Sequence, residues 1–274
     1  MTAILWFRRD LRVHDHPALL AALDRCEQVV PVFCFDDRLL HGRHESGPRT
    51  QFLLECLRDL AFALRDRGSG LVIRHGPPER ELPELAEEVG ATEVHFSFDV
   101  TPFARDRGAT TGRALAQAGL DLHAHPGLTV VDDPGEVRTQ EGRPRTVFTP
   151  YYKAWLDEPR RDVRDAPGEL PALPAALTAG RIPSLAALGL IQEVEDPLPG
   201  GEQAGRTRMT AFLRAAVDGY GSGHDALGED GTSRLSPYLR FGCVSARELE
   251  ERLPEGRVRR PFADSCAGAT STSR

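Results

Sequence analysis

Val29-Val30-Pro31-Val32-Phe33-Cys34-Phe35 is a nearly unbroken apolar run. A strand with one face in water alternates apolar and polar residues. A run without alternation belongs in a sheet covered on both faces. The same grammar repeats outward from it. Residues 3–7 form a second short apolar run, and Pro17–Arg25 between the two reads as a helix with Pro in its first turn. Downstream, Gly47-Pro48 opens a long amphipathic helix. Its apolar positions Phe52, Leu53, Cys56, Leu57, Leu60 and Leu64 keep a period near 3.6, and Gly68-Ser69-Gly70 ends it. Strands over residues 71–73, 93–98 and 120–124 then alternate with helices over 79–88 and 105–118. Strands separated by helices imply right-handed crossovers and a parallel sheet. The spacing predicts a doubly wound, Rossmann-like α/β domain with five parallel strands over residues 1–132.

The 274 residues are 40% hydrophobic and 27% charged, ordinary values for a water-soluble chain. The net charge of -7 gives no global sign of a nucleic-acid binder, although a local basic groove is compatible with it. No run approaches the ~20 apolar residues that span a membrane. The five cysteines, Cys26, Cys34, Cys56, Cys243 and Cys266, form no C-x-x-C pair, which fits a reducing, cytoplasmic compartment. His14/His16 and His123/His125 are H-x-H pairs with no third ligand nearby in sequence, so no metal site is expected. No G-x-G-x-x-G follows the first strand, which disfavours an ordinary dinucleotide there.

Residues 133–200 read as a connector. Prolines at 159, 167, 171, 174, 183, 197 and 199 argue against long helices or sheet. Before them, Thr149 is a candidate helix cap with Pro150 at the first helical position. A helical region begins near Gly201, where Met209, Phe212, Leu213 and Ala216 lie at i, i+3, i+4 and i+7. Ser245-Ala246-Arg247-Glu248 is a capping box opening a helix through Arg252.

One stretch carries a chemical signature. In Gly231-Thr232-Ser233-Arg234-Leu235-Ser236-Pro237-Tyr238-Leu239-Arg240-Phe241-Gly242, three hydroxyls and a fixed cation precede a short helix. Ser236 reads as its cap, Pro237 as its first residue and Gly242 as a left-handed stop. A helix start of this kind suits a diphosphate, though it also suits a capped surface helix with no ligand.

That stretch closely resembles the flavin-clamping motif of the DNA photolyase and cryptochrome family. Trp6-Phe7-Arg8-Arg9-Asp10-Leu11-Arg12-Val13-His14-Asp15-His16-Pro17-Ala18-Leu19 resembles the same family's N-terminal signature, and the two occur in the family's order. The resemblance runs to about residue 253. It implies an antenna domain over 1–132, a connector over 133–200 and a partial helical FAD-binding domain over 201–274. It implies FAD contacts at Tyr220, Thr232, Ser233, Arg234, Leu235 and Ser236, with Thr232 and Ser236 on phosphates. Asp99 falls in the segment that resembles the lining of the family's antenna pocket. Thr101-Pro102 stands where folate-using members carry Asn-Glu, so a deazaflavin is expected rather than a folate. His224 stands where members carry a DNA-contacting Arg, and a neutral imidazole weakens a phosphate contact.

The activity so implied is a class I deoxyribodipyrimidine photo-lyase: light-driven, FAD-dependent repair of cyclobutane pyrimidine dimers in damaged DNA, by a monomer. Alternatives are a cryptochrome-type photoreceptor and a non-enzymatic antenna-domain module. The only tryptophans are Trp6 and Trp155, whereas the family reduces its flavin through tryptophans of the helical domain. The expectation is that this chain neither holds FAD firmly nor repairs DNA. After Leu253 the apolar periodicity dissolves. Back-translated with allowed codons and read in a shifted frame, residues 260–273 give Gln-Leu-Cys-Trp-Arg-Asp-Phe, which resembles the family's next motif. A frameshift near Arg260 and a truncated product are therefore expected.

Overall fold

The structure is a computed structural model that describes residues 1–43, 45–139, 141–215 and 232–254. Five strands, β1 (Thr2–Phe7), β2 (Gln28–Phe35), β3 (Val72–His75), β4 (Glu93–Ser97) and β5 (Asp121–His125), form one parallel sheet in the order β3-β2-β1-β4-β5. Around it lie α1 (Pro17–Arg25), α2 (Asp37–Leu40), α3 (Gly47–Asp66), α4 (Pro78–Val89) and α5 (Pro102–Gln117). The doubly wound topology expected from the apolar runs is the one observed, with strand ends shifted by one or two residues. The chain leaves β1 toward β2 and β3, then returns to β4 on the other side. The switch point, where such sheets bind ligands, therefore lies between the carboxyl ends of β1 and β4.

Period-two alternation explains the two cores. Ala3, Leu5 and Phe7 of β1 pack with Leu19 of α1 and Leu57 and Leu60 of α3. Ile4 and Trp6 face the other way, onto Leu82 and Leu85 of α4 and Leu115 of α5. Every one of these residues is almost fully buried, which is why β1 lacks polar positions. On α3 the seam differs slightly from its periodicity. Leu54 is buried and Leu53 only partly so, because the helix is also covered from its far side by the later helices.

After η1 (Pro134–Glu136), a 3-10 turn, α6 (Phe148–Asp157) begins earlier than the Thr149-Pro150 pair suggests. Its cap position is Val147, with no side-chain cap, so Thr149 does not cap it and Pro150 sits inside the first turn. The proline-rich stretch that follows holds only one 3-10 turn, η2 (Ala186–Leu188). It runs along the outer strand of the sheet: Gly180 N donates to Leu71 O (2.8 Å), and Leu173 and Leu177 pack on the second core. A Cβ on Gly180 would lie 2.5 Å from the Ile73 backbone nitrogen, so only glycine permits this approach. An edge strand is thereby covered.

The last described elements are α7 (Glu202–Ala215), α8 (Ser236–Arg240) and α9 (Ala246–Arg252). Met209 and Phe212 of α7 are buried in the core shared with α3, as their spacing predicts. The amino end of α7 is held by α3, where Asp59 Oδ2 accepts from Glu202 N at 2.7 Å. Ser245 caps α9 by accepting from Glu248 N, one half of the expected capping box. The Glu248 carboxylate instead pairs with Arg206 (3.0 Å) and Arg252 (3.3 Å). No helix among the described residues is long and apolar enough to cross a membrane.

Candidate functional site

The loop after β1 is where the parts of the molecule meet. Arg12 is 2% exposed, and its guanidinium donates to four carbonyls: His14 O (3.0 Å), Asp15 O (2.8 Å), Gly127 O (2.7 Å) and Gly242 O (2.9 Å). Asp15 is fully buried and sits at φ 50°. Its carboxylate accepts from Arg161 Nη2 (2.7 Å), Arg164 N (3.1 Å) and the Ser245 hydroxyl. Burial pushes that carboxyl up, but the Arg161 and Ser245 bonds outweigh it and hold the group well below the usual carboxylate range. Glu202 accepts from Val13 N (2.7 Å) and His14 N (3.1 Å). One loop thus fastens the connector, α7 and α9 to the sheet.

The 232–242 stretch docks on the same loop. Leu11 N donates to Phe241 O (3.1 Å), and Arg9 Nε to Arg240 O (2.9 Å). Gly242 has φ +65°, and a Cβ there would lie 2.0 Å from Arg9 O, so this helix stop is a glycine for both torsional and steric reasons. The N-terminal signature and the distant hydroxyl-rich motif are seated on each other.

Within that motif exposure alternates. Thr232, Arg234 and Ser236 are exposed; Ser233 and Leu235 are buried. Arg208 Nε holds Ser233 O at 2.9 Å, and Ser233 Oγ accepts from Leu235 N at 3.3 Å. Arg234 has φ 51°, a left-handed conformation that costs a non-glycine residue about 1 kcal/mol or more. Ser236 does not cap α8. The cap position is Leu235, without a side-chain bond, because burial of the Leu235 side chain starts the helix at Ser236 itself. With five residues, α8 has little macrodipole. Any anion held here is held mainly by side chains: two exposed hydroxyls and an exposed guanidinium within five residues. That set fits a diphosphate. Leu235, expected as a contact, places its side chain in the core instead. Tyr220 and His224 lie outside the described residues, as does the stretch from 255 onward on which the frameshift expectation rests.

A second set lies at the switch point. Arg8, 7% exposed, places its guanidinium 5.0 Å from the Trp6 ring centre and 4.6 Å from that of Phe96, and donates through Nη2 to Ser97 O. Arg107 of α5 lies 5.3 Å from Trp6 and 5.7 Å from Phe103. Burial, reinforced by Arg107, pulls Arg8 down to about 10. Among the described residues, Arg8 Nε and Nη1 and Arg107 Nε are buried without hydrogen-bond partners. Buried orphan donors cost about 1–3 kcal/mol each, more when charged, and mark a place for an acceptor. Asp99, expected at this pocket, binds Arg9 Nη1 (2.9 Å) and accepts from Thr101 N (3.0 Å), so it caps the following turn. Sequence reasoning placed Arg8 at a strand end but missed Arg107, which the α5 crossover brings in from 99 residues away.

A cleft of about 720 Å³ lies elsewhere, between α3 and α7, lined by Phe62, Asp66, Arg206 and Arg214 among others. None of the hydroxyl-motif residues lines it.

Comparison with known proteins gives consistent relatives. A family model described as DNA photolyase matches residues 3–175. A deoxyribodipyrimidine photo-lyase of Streptomyces griseus is 38% identical over 255 residues, covering 92% of this chain and 55% of that protein. An uncharacterized 31.6 kDa protein of Synechococcus sp. is 36% identical over 247 residues, covering 90% of this chain and 87% of that protein. The crystal structure of a bacterial class III photolyase from Agrobacterium tumefaciens superposes with a TM-score of 0.85 at 25% identity, covering 98% of this chain and 57% of that one. The chain thus spans little more than half the length of the named photo-lyase and of the solved structure.

Proposed function

Since this chain belongs to the DNA photolyase family, matching its model over residues 3–175, we propose that it serves light-driven repair of cyclobutane pyrimidine dimers in DNA, with FAD as the reacting cofactor and a deazaflavin-type antenna. The observation that carries this reading is the seating of the two motifs on each other through Leu11–Phe241, Arg9–Arg240 and Arg12–Gly242. That contact holds the hydroxyl motif beside the carboxyl edge of the sheet. An antenna chromophore at the switch point and a flavin at the motif would then share one rigid frame.

Thr232 and Ser236 would donate hydroxyl bonds to the flavin diphosphate, and Arg234 would add a fixed charge that strengthens them. Ser233 and Leu235, buried, hold the segment in shape. When bound and reduced, the flavin supplies a photoexcited electron to the dimer and takes it back after the ring opens. The chain's own contribution is to orient: the Arg208 bonds to the Ser233 and Thr232 carbonyls fix the segment's backbone from α7. At the switch point, Arg8 and Arg107 would bind acceptor atoms of a conjugated ring between Trp6, Phe96 and Phe103. Domain limits near residues 132 and 200 follow from the same reading, as do monomeric, cytoplasmic operation and contact with damaged DNA.

The test is reconstitution of the purified chain with FAD, read by bound flavin absorbance and by light-dependent cleavage of a dimer-containing oligonucleotide. Bound flavin that is lost in Thr232→Val and Arg234→Ala supports the site. Equal retention in wild type and variants overturns it. Dimer cleavage by this chain alone overturns the expectation that it does not repair DNA.

A further inference from the structure

β4 turns Val94 and Phe96 to the α4/α5 core and Glu93, His95 and Ser97 to the opposite face, under α1. β5 pairs with it in register: His95 faces His123, and Ser97 faces His125. Three imidazoles and a carboxylate are thereby stacked on one face of two adjacent strands. The His95 and His125 rings are parallel, 5.0 Å apart, and His95 Nδ1 lies 3.0 Å from His125 Nε2.

The other nitrogens converge. His123 Nε2 lies 2.8 Å from Glu93 Oε2, and His95 Nε2 lies 3.4 Å from the same oxygen. All three donor atoms fall within 4.8 Å of one another. Neither Nε2 has a well-aligned hydrogen-bond partner among the described residues, and His95 is fully buried. When His95 Nδ1 carries the proton shared with His125 Nε2, the Nε2 lone pair is open toward Glu93 Oε2, and a cation between them would be held by both.

We propose that Glu93, His95 and His123 form a binding site for a divalent transition ion of the zinc type. Two imidazoles and a carboxylate are a donor set for such ions. Tetrahedral coordination at about 2.0–2.2 Å separates ligand atoms by roughly 3.4 Å; the measured 3.4 Å fits, and the 2.8 Å contact opens slightly. The surrounding contacts match those of ligated groups. His125 orients His95 through the Nδ1 bond, and the Cys26 thiol donates to Glu93 Oε1 at 2.8 Å, leaving Oε2 for the ion. Arg25 Nε, 3.0 Å from Oε2, is the competitor. Its side chain is 53% exposed and can turn to solvent. The His123 side chain is 31% exposed and offers the entry path. The bound ion would pin β5, an outer strand of the sheet, to β4 and to the carboxyl end of α1. The site shares no residue with the hydroxyl motif and does not depend on any flavin.

The experiment uses the tag-free full chain with Zn²⁺ alone and Co²⁺ as a spectroscopic probe. Expected are one tightly held Zn²⁺ per chain, a raised melting temperature, and Co²⁺ visible bands typical of four or five nitrogen and oxygen ligands. His123→Ala, at a partly exposed position, should weaken binding by about tenfold or more. Arg25→Gln should tighten it, because the competing charge is gone. A wild-type chain that retains no Zn²⁺ overturns the proposal even if no variant folds. So does a His123→Ala protein that binds Zn²⁺ as wild type does, or an Arg25→Gln protein that binds it less tightly.

Discussion

Two arginines from the same loop, Arg8 and Arg12, are both buried, yet they stand in opposite situations. Arg12 has four carbonyl acceptors drawn from three places in the chain. Among the described residues the Arg8 guanidinium has one acceptor, Ser97 O, and its Nε and Nη1 lie among aromatic rings without hydrogen-bond partners. The fold would not tolerate a change at Arg12, where the charge completes the structure. At Arg8 the charge is a cost to the fold, and its use must lie in what it can bind. A buried cation with its donors filled reads as architecture; one with donors open reads as a site.

The comparison breaks first at Arg12. Arg12→Met strands four buried carbonyls, at about 1 kcal/mol each, so a loss of about 4 kcal/mol is expected in urea unfolding, a large share of the roughly 5–15 kcal/mol that holds a typical domain. A shift below 1 kcal/mol would equate the two arginines. Asp15→Asn comes next, at about 3 kcal/mol, because it removes the buried carboxylate that binds Arg161 most closely and leaves it, among the described carboxylates, only the longer contact to Asp132. Its pH dependence has a definite sign. The Asp15 carboxyl is depressed in the folded state, so the unfolded chain takes up the proton first. Its stabilisation is complete above the ordinary value of about 3.9 and is lost as pH falls below it. Wild type should lose more stability than Asp15→Asn between pH 5 and pH 2, each taken as about that value; parallel curves would remove Asp15 from the acid response.

Arg8→Met should change stability by no more than about 1 kcal/mol, since an apolar chain of similar volume replaces a poorly satisfied charge. Its effect should appear in retention of a deazaflavin added at low concentration, reduced at least about tenfold, or about 1.4 kcal/mol. Retention equal to wild type would make the open donors incidental. The smallest stability effect belongs to Ser236→Ala, below about 0.5 kcal/mol, because no side-chain cap is lost. A cost near 1 kcal/mol in flavin-free protein would restore the capping role that its geometry denies.

What was legible in the sequence followed the range of the interaction. The apolar runs at residues 3–7 and 29–35 report local alternation, and the sheet formed where they said. Gly242 was legible because a left-handed stop is a local demand; its contact with Arg9 O was not. Ser236 was misread because the helix start is set by burial of Leu235 in a core drawn from α3 and α7, which no local cap rule contains. Asp99 was placed in an antenna-pocket segment by resemblance; its bond from Thr101 N is a local turn cap that the Asp itself signals. The neighbourhood of His123 was not legible locally, because His95 and Glu93 belong to the adjacent strand and only the β4–β5 register brings them beside it. Arg107 had no local signal at all.

The bonds around Arg12 and Asp15 also set an order of events. Their partners lie at residues 127, 161, 164, 242 and 245, separations of more than a hundred residues. Closing such long loops is entropically expensive and slow compared with forming local helices and hairpins. During synthesis, β1 and its loop leave the ribosome first and wait until residue 245 has followed. Throughout that interval Arg12 must stay hydrated and the β1 end of the sheet remains open. The nascent α/β layer therefore lacks these bonds until the hydroxyl motif has been made.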